Sequence, residues 1–214
     1  MTLKIFGDTR SGNCLKVKWV AEWLDIPYEW QHADVMTGAT RTPEFLAMNP
    51  AGQVPTVVLE DGRTLAQSNA IIVHLAEGSD LIPADAYHRA RMFEWLFWEQ
   101  YSHEPYIAVA RFICGWTPLE SPRRAELPAC RERGHAALAV MEQHLTAQSW
   151  FTGADYGIAD IALFAYTDVA PQGGFDLSPY PAVRDWLARV RKTPGFVSMA
   201  EPDAHATARI AAST

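Results

Sequence analysis

The sequence contains little cysteine, which excludes the frameworks that cysteine builds. Only 3 cysteines occur in 214 residues, and they are too few and too far apart for a disulfide scaffold or a zinc site. The 7 histidines include no pair at a ligand spacing such as H-x-x-x-H. We therefore expect no metal.

Long apolar runs and an excess of positive charge are also missing. No run approaches the roughly 18–20 apolar residues of a membrane helix, and the N-terminal residues lack the apolar core of a secretory signal. We therefore expect a cytoplasmic protein without a membrane partner. The formal net charge is −7, and neither half of the chain is basic, which argues against a nucleic-acid partner.

The first part of the chain alternates strand and helix signals. Apolar residues at 17, 20, 21 and 24 have the spacing of one buried helix face, and Pro27 ends that helix. Asp61-Gly62 between two β-rich runs indicates a hairpin. The predicted order is β-α-β-α-β-β-α, a small sheet covered by helices.

From about residue 86 onward only helical patterns remain. They predict a long helix from Asp85 to Cys114, bent at Pro105, and further helices near 122–147, 158–165 and 181–190. We expect the alanine-rich tail after Pro202 to be mobile. The predicted fold is an α/β domain over residues 1–79 followed by an all-helical domain over residues 86–214.

Two polar clusters stand where a helix is expected to begin. Ser11 and Asn13 follow the first strand, and Gln67 and Ser68 precede the third helix. Helix N-termini favour negative charge, so each cluster suits a thiolate or a carboxylate. The alternative is that Ser11, Asn13 or Ser68 only caps its helix, and the residues alone leave both interpretations open.

Two further positions have a structural interpretation. Pro55 opens a predicted strand, and a cis Val54–Pro55 bond would let the Val54 backbone pair with an extended peptide, although most X–Pro bonds are trans. Asp160 lies at the third position of an apolar helix start, where its carboxylate can accept from backbone N–H groups near Gly157. We expect Asp160 to be structural.

Together these segments resemble the cytosolic glutathione transferases over nearly the whole chain. The resemblance rests on SGNC at 11–14, NPAGQVPT at 49–56, QSNAI at 67–71 and GIADIA at 157–162. It implies a thioredoxin-like N-terminal domain, an all-helical C-terminal domain, glutathione as co-substrate and a homodimer. The aromatic surplus on the long helix also favours a homodimer.

The resemblance also implies roles for single residues. Val54, before a cis Pro55, would bind the cysteinyl backbone of glutathione, and Gln67 and Ser68 would hold the γ-glutamyl carboxylate. The remaining expected glutathione contacts are Asn13, and toward the glycyl end Gln53 and Arg41. Tyr106, Phe112 and Trp116 are expected to line a hydrophobic electrophile site in a cleft between the domains.

The chain departs from the family pattern at three positions. No tyrosine occupies the first strand–helix loop, so the chain resembles the serine- or cysteine-type enzymes, with Ser11 at the theta-like and delta-like position and Cys14 near the beta-like one. Gln67 replaces the acidic residue that usually stands before the serine. Gly157 replaces the usual Ser or Thr helix cap.

The expected function is transfer of a small-molecule electrophile to glutathione, with Ser11 activating the thiol. Two alternatives remain: a glutathione-dependent disulfide reductase or isomerase, and a binding or regulatory protein without transferase activity. The sequence does not identify the electrophile.

Overall fold

The computed structural model describes residues 2–200, 202 and 204–213 and divides them into two compact units. The first comprises the chain up to Ile82 together with Pro194–Ala200, and the second comprises Pro83–Thr193 with the described residues that follow Ala200. No helix in the described ranges is both long and apolar enough to cross a membrane.

The first unit contains a four-stranded sheet in the order β2-β1-β3-β4. Its strands are β1 (Leu3–Gly7), β2 (Tyr28–His32), β3 (Thr56–Val58) and β4 (Thr64–Ala66). Strand β2 is parallel to β1, whereas β1 with β3 and β3 with β4 are antiparallel. The hairpin predicted at Asp61-Gly62 connects β3 to β4, and Gly62 adopts φ +86°, a conformation that glycine adopts readily.

Three helices accompany this sheet: α1 (Gly12–Trp23), α2 (Pro43–Met48) and α3 (Ser68–Ala76). The predicted face of α1 is confirmed, because Val17, Val20 and Ala21 have no exposed surface. The element order β-α-β-α-β-β-α is therefore confirmed.

The second unit is built from helices, as predicted. They are α4 (Ala86–Trp98), α5 (Glu104–Trp116), α6 (Leu127–Ala147), α7 (Ile158–Thr167), α8 (Pro181–Val190) and α9 (Ala204–Ala211). Every residue of α7 is buried, which makes it the central helix of this unit. The expected thioredoxin-like fold followed by a helical domain is confirmed.

Three details differ from the expectations. The long helix is interrupted by a π-helical turn over Glu99–His103, ahead of Pro105, which occupies the first turn of α5. The tail after Pro202, expected to be mobile, contains helix α9. Ile210 of this helix packs against Gly115, where a Cβ would lie 3.4 Å from the Ile210 Cδ1.

The third detail is the return of the chain to the first unit; the domain limits 1–79 and 86–214 stay a prediction. Residues 194–200 belong to the first unit because they pack on it. The Phe196 ring meets the edge of Trp19 at 5.2 Å between ring centroids, and the backbone N–H of Ala200 donates to the carbonyl of Thr9.

Candidate functional site

The loop between β1 and α1 is held by an ion pair. Buried Asp8 accepts from the Arg10 backbone N–H at 2.8 Å and from the Arg10 guanidinium at 2.6 Å. Burial opposes ionisation of Asp8, but the hydrogen bonds from Arg10 outweigh it and lower the pKa of the carboxyl. Arg10 also lies 3.3 Å from Asp34, so the loop is fixed from two sides.

Ser11 occupies the N-cap position of α1 and is half-buried. Its Oγ accepts a hydrogen bond from the Cys14 backbone N–H at 3.4 Å. This bond uses a lone pair of the oxygen, and the hydroxyl hydrogen is directed to the Cys14 thiol, from which it can turn to another acceptor. Ser11 therefore both caps the helix and offers a donor, and the two interpretations left open by the sequence are compatible.

Cys14 lies on the inner side of the same turn and has no exposed surface. Its Sγ accepts from the Asp8 backbone N–H at 3.5 Å and lies 3.1 Å from where a Cβ would stand at Gly7. Burial raises the pKa of the thiol to about 11, although the hydrogen bond from Ser11 acts in the opposite direction. At neutral pH Cys14 is a protonated, packed thiol and a poor nucleophile.

A second loop, between α2 and β3, is organised by Asn49. Its Nδ2 donates to the Gln53 carbonyl at 2.9 Å and to Thr56 Oγ1 at 3.0 Å, and its Oδ1 accepts from the Ala51 N–H at 3.1 Å. The Val54–Pro55 peptide bond is cis, as the resemblance implied. Asn49 thus sets the path of the loop that carries Gln53 and Val54.

Arg41 and Gln53, the contacts expected for the glycyl end, are both exposed in this region. Arg41 Nη1 donates to the Ala51 carbonyl at 3.2 Å. Gly52 has φ +61°, and a Cβ there would approach Arg41 Nη1 to 2.4 Å. The absent side chain at Gly52 therefore makes room for the guanidinium.

The start of α3 lies beside α1. Ser68 is buried, and its Oγ donates to Asn13 Oδ1 at 3.0 Å, which joins two of the predicted glutathione contacts directly. Gln67, in the N-cap position, has φ +70° and makes no side-chain cap hydrogen bond. A non-glycine residue in this region is strained, and such strain is concentrated at functional sites.

Sequence reasoning missed Lys16 in this cluster and included Asn69 only as part of the polar start of α3. Lys16 is fully buried, and its Nζ donates to Asn13 Oδ1 at 2.9 Å and to Asn69 Oδ1 at 3.4 Å. A signal was available, because Lys16 is three residues after Asn13 and four before Val20, on the helix face that is buried.

The residues expected at the electrophile site all belong to α5, in the second unit. Each of these aromatic rings has an arginine over it; Arg123 and Arg133 are exposed, whereas Arg111 is buried. The pairs are Arg133 with Tyr106, Arg123 with Phe112 and Arg111 with Trp116, at 5.4, 5.7 and 4.6 Å from guanidinium carbon to ring centroid. Phe112 and Trp116 are also stacked on each other, with 6.4 Å between centroids.

Asp160, expected to be structural, has no exposed surface. Its carboxylate accepts from the Gly157 N–H at 3.2 Å, the Phe151 N–H at 3.2 Å and Trp186 Nε1 at 2.9 Å. Burial raises the pKa of Asp160 to about 7 against the influence of these donors. Asp160 therefore caps the start of α7, and its carboxylate is hydrogen-bonded by groups of the protein itself.

Within the described ranges, no group of three or more His, Cys, Asp or Glu side chains is arranged to hold a metal ion. Cys14, Cys114 and Cys130 are all free thiols and all buried. The candidate site is therefore made of hydroxyl, amide and cationic side chains.

Comparison with known proteins identifies the family of the chain. Residues 10–77 match the family model of the glutathione S-transferase N-terminal domain, and residues 124–189 match that of the C-terminal domain. Among solved structures, a glutathione S-transferase from Pseudomonas fluorescens shares 49% sequence identity with a TM-score of 0.91, and the match covers 94% of this chain and 100% of that one.

Two curated relatives extend the comparison. Disulfide-bond oxidoreductase YfcG of Escherichia coli is 28% identical over 196 residues, which cover 88% of this chain and 89% of that protein. Glutathione S-transferase 3 of Zea mays is 31% identical over 204 residues, which cover 91% of each chain. The chain therefore belongs to the glutathione S-transferase family.

Proposed function

We propose that this protein activates the thiol of glutathione for attack on a hydrophobic electrophile. The observation that carries the proposal is the contrast between Ser11 and Cys14. Ser11 is half-buried with a hydroxyl hydrogen that can turn from Cys14 to a ligand, whereas Cys14 is fully buried with a pKa of about 11. A donor at the helix start favours a bound thiolate, and a packed thiol does not compete with it.

The chemistry follows from the thiol pKa. A free thiol has a pKa of about 8.5, so most of it is protonated at neutral pH. A hydrogen bond from Ser11 favours the ionised form, and the thiol proton passes to solvent. The thiolate sulfur then forms a bond to the electrophilic carbon, and the leaving group departs with the bonding electron pair. When the thiolate instead adds across a double bond, no group leaves. The π electron pair stays on the electrophile, which takes up a proton from solvent.

The other predicted contacts would orient the peptide. Gln67, Ser68 and Asn13 would hold the γ-glutamyl end, and the Val54 backbone would hold the cysteinyl residue. Arg41 would meet the glycyl carboxylate, together with Gln53 on the loop that Asn49 organises. In the second unit, Tyr106, Phe112 and Trp116 remain the predicted electrophile contacts. The exposed Arg133 over Tyr106 and Arg123 over Phe112 favour electrophiles that carry an anionic group.

The proposal is tested by comparing Ser11→Ala with Cys14→Ala. Loss of the Ser11 donor should lower the rate of conjugation to a generic aromatic electrophile at neutral pH about 10-fold or more, and raise the pKa of bound glutathione. The deficit should shrink as pH rises, because solvent then deprotonates the thiol. The thiolate absorbance of bound glutathione, titrated with pH, measures the pKa directly.

Cys14→Ala is the matched control and should conjugate at nearly the normal rate. The competing mechanism forms a mixed disulfide between Cys14 and glutathione. It predicts a reducible mass increase of one glutathione on the purified protein, absent from Cys14→Ala. That adduct, together with full activity in Ser11→Ala, contradicts our assignment.

A second candidate function is glutathione-dependent disulfide reduction, which the relationship to the Escherichia coli oxidoreductase favours. Because the cysteines of the protein are buried, two glutathione molecules would supply the two electrons. Their thiols are oxidised to glutathione disulfide, and the substrate disulfide is reduced to two thiols. Assays with a small disulfide and an aromatic electrophile separate the two reactions. A protein active in neither, despite retention on immobilised glutathione, would instead be a binding protein.

We also propose that the protein is a homodimer. Three aromatic side chains between residues 87 and 101 are largely exposed, namely Tyr87 at 68%, Phe97 at 71% and Tyr101 at 82%. A partner subunit that covered these side chains would remove large aromatic surfaces from water. Light scattering at micromolar concentration should give twice the mass of one chain, and Phe97→Glu should lower it. A wild-type mass near 23.8 kDa contradicts the proposal.

A further inference from the structure

Lys16 is a fully buried cation beside the proposed γ-glutamyl site. Its Nζ lies 2.9 Å from Asn13 Oδ1 and 3.4 Å from Asn69 Oδ1. Burying a lysine side chain is costly unless its donors are satisfied. Asn13 and Asn69 supply oxygen acceptors to Lys16, and they belong to the two helix starts that form the site.

The direction of each hydrogen bond follows from Lys16. An ammonium group carries three donors and no acceptor, so the Asn13 atom that faces it must be the amide oxygen. Ser68 Oγ lies 3.0 Å from that same oxygen. Ser68 must therefore donate its single hydroxyl hydrogen to Asn13, and Asn13 Oδ1 accepts from both Lys16 and Ser68.

A carboxylate arriving at Ser68 requires a different arrangement. Carboxylates only accept hydrogen bonds, so Ser68 must turn its hydroxyl hydrogen from Asn13 to the ligand. Asn13 Oδ1 then loses one donor. Because Lys16 donates to the same oxygen, Asn13 keeps a charge-assisted hydrogen bond after Ser68 has turned.

We infer that Lys16 is a positioning residue for the γ-glutamyl carboxylate, which allows Ser68 to exchange its hydrogen bond with Asn13 for one with the ligand. The inference rests on the proposed use of glutathione. Lys16 also places a positive charge behind Ser68. The residue before Ser68 is the neutral Gln67, so it adds no negative charge beside the ligand carboxylate. Lys16 acts through Asn13 and Ser68 and does not touch the reacting sulfur.

The test measures Kd by calorimetry for two ligands on wild type, Lys16→Met and the control Lys18→Met, which removes a half-exposed lysine from the same helix. One ligand is glutathione, and the other is 4-aminobutyryl-cysteinylglycine, which lacks the γ-glutamyl α-carboxylate. Lys16→Met should weaken glutathione binding about 10-fold and the analogue by less than about 2-fold. Lys18→Met should leave both unchanged. KM for glutathione should rise with Lys16→Met, while kcat at saturating glutathione stays the same.

A double-mutant cycle with Ser68→Ala adds a criterion that a merely structural lysine would not meet. In the Ser68→Ala background no hydroxyl exchange occurs, so Lys16→Met should change glutathione affinity by less than about 3-fold. If circular dichroism shows that Lys16→Met does not fold, Lys16→Gln, which keeps a neutral donor, is judged by the same ratios.

The outcomes are distinguishable. Equal weakening of glutathione and of the analogue, or an undiminished effect in Ser68→Ala, overturns the role of Lys16 while leaving the proposed function intact. Failure of the wild-type protein to bind glutathione overturns the proposed function and this inference with it.

Discussion

Helices α7 and α3 begin in opposite ways. At α7, in the second unit, Asp160 has no exposed surface, and its carboxylate accepts three hydrogen bonds from the protein itself. At α3, in the first unit, Gln67 is exposed and makes no side-chain cap hydrogen bond. The side chains beside it are a hydroxyl at Ser68 and a cation at Lys16.

The difference separates a helix start that the protein caps itself from one that we propose binds a ligand. A helix N-terminus favours an anion, and α7 receives that anion from its own sequence. No acidic residue occurs in the first turn of α3, so its N-terminus is suited to a carboxylate supplied by a ligand. Under the proposed function, the same physical preference contributes to folding in the second unit and to recognition in the first.

Removing the carboxylate of α7 should have the largest effect and tests one side of this comparison. Asp160→Ala leaves three donors without their partner, including the buried Trp186 Nε1, and should lower the free energy of unfolding by about 3 kcal/mol or more. The measurement is denaturant unfolding, with glutathione Kd determined on the folded fraction. Kd should stay within about 2-fold of wild type. An unchanged Tm with lost binding would assign Asp160 to the ligand site instead.

The pH dependence of stability gives a second test. Burial raises the pKa of Asp160 from 3.8 to about 7 in the folded state. The folded protein therefore binds this proton more tightly than the unfolded chain, and the stabilisation is fully present below 3.8. It should be lost progressively as pH rises to about 7. The Tm difference between wild type and Asp160→Asn, measured from pH 4 to pH 8, should decrease with pH and level off near the upper end; an increase contradicts the shift.

The start of α3 should respond with a smaller effect of the opposite sign. Gln67→Gly removes the strain of φ +70° and should raise the free energy of unfolding by about 1 kcal/mol. It should also weaken glutathione binding about 5-fold, because the side-chain amide is lost. Asp25→Gly is a matched control, since Asp25 has φ +51° at the other end of α1. It should stabilise without altering Kd; a Gln67→Gly protein that binds normally would remove Gln67 from the site.

Local signals account for most of the fold. Helical spacing identified the buried face of α1, and the Asp61-Gly62 pair identified the hairpin between β3 and β4. These elements are predictable because each depends on residues close in sequence. The tail helix α9 was also within reach, because alanine has the highest helix propensity, but its stabilising contact with Gly115 is remote in sequence.

The parts that escaped prediction depend on tertiary contacts. Residues 194–200 return to the first unit, where Phe196 packs against Trp19. No periodic pattern in the sequence predicts this contact. The burial of Lys16 is contrary to the usual exposure of lysine, so composition alone places it at the surface. Ser11, Asn13 and Ser68 were identified as candidates, but only the structure brings Asn13 and Ser68 within hydrogen-bonding distance.

The returning segment has a consequence for synthesis of the protein. Residues 194–200 belong to the unit that begins the chain, and Gly195 adopts φ +69° at a point where a Cβ would lie 3.4 Å from the Trp23 Cα. A ribosome finishes the sheet and its helices long before it makes this segment. A nascent chain that ends near Ile82 therefore has no Phe196 to pack against Trp19, and the first unit becomes complete only after helices α4 to α8 of the second have been translated.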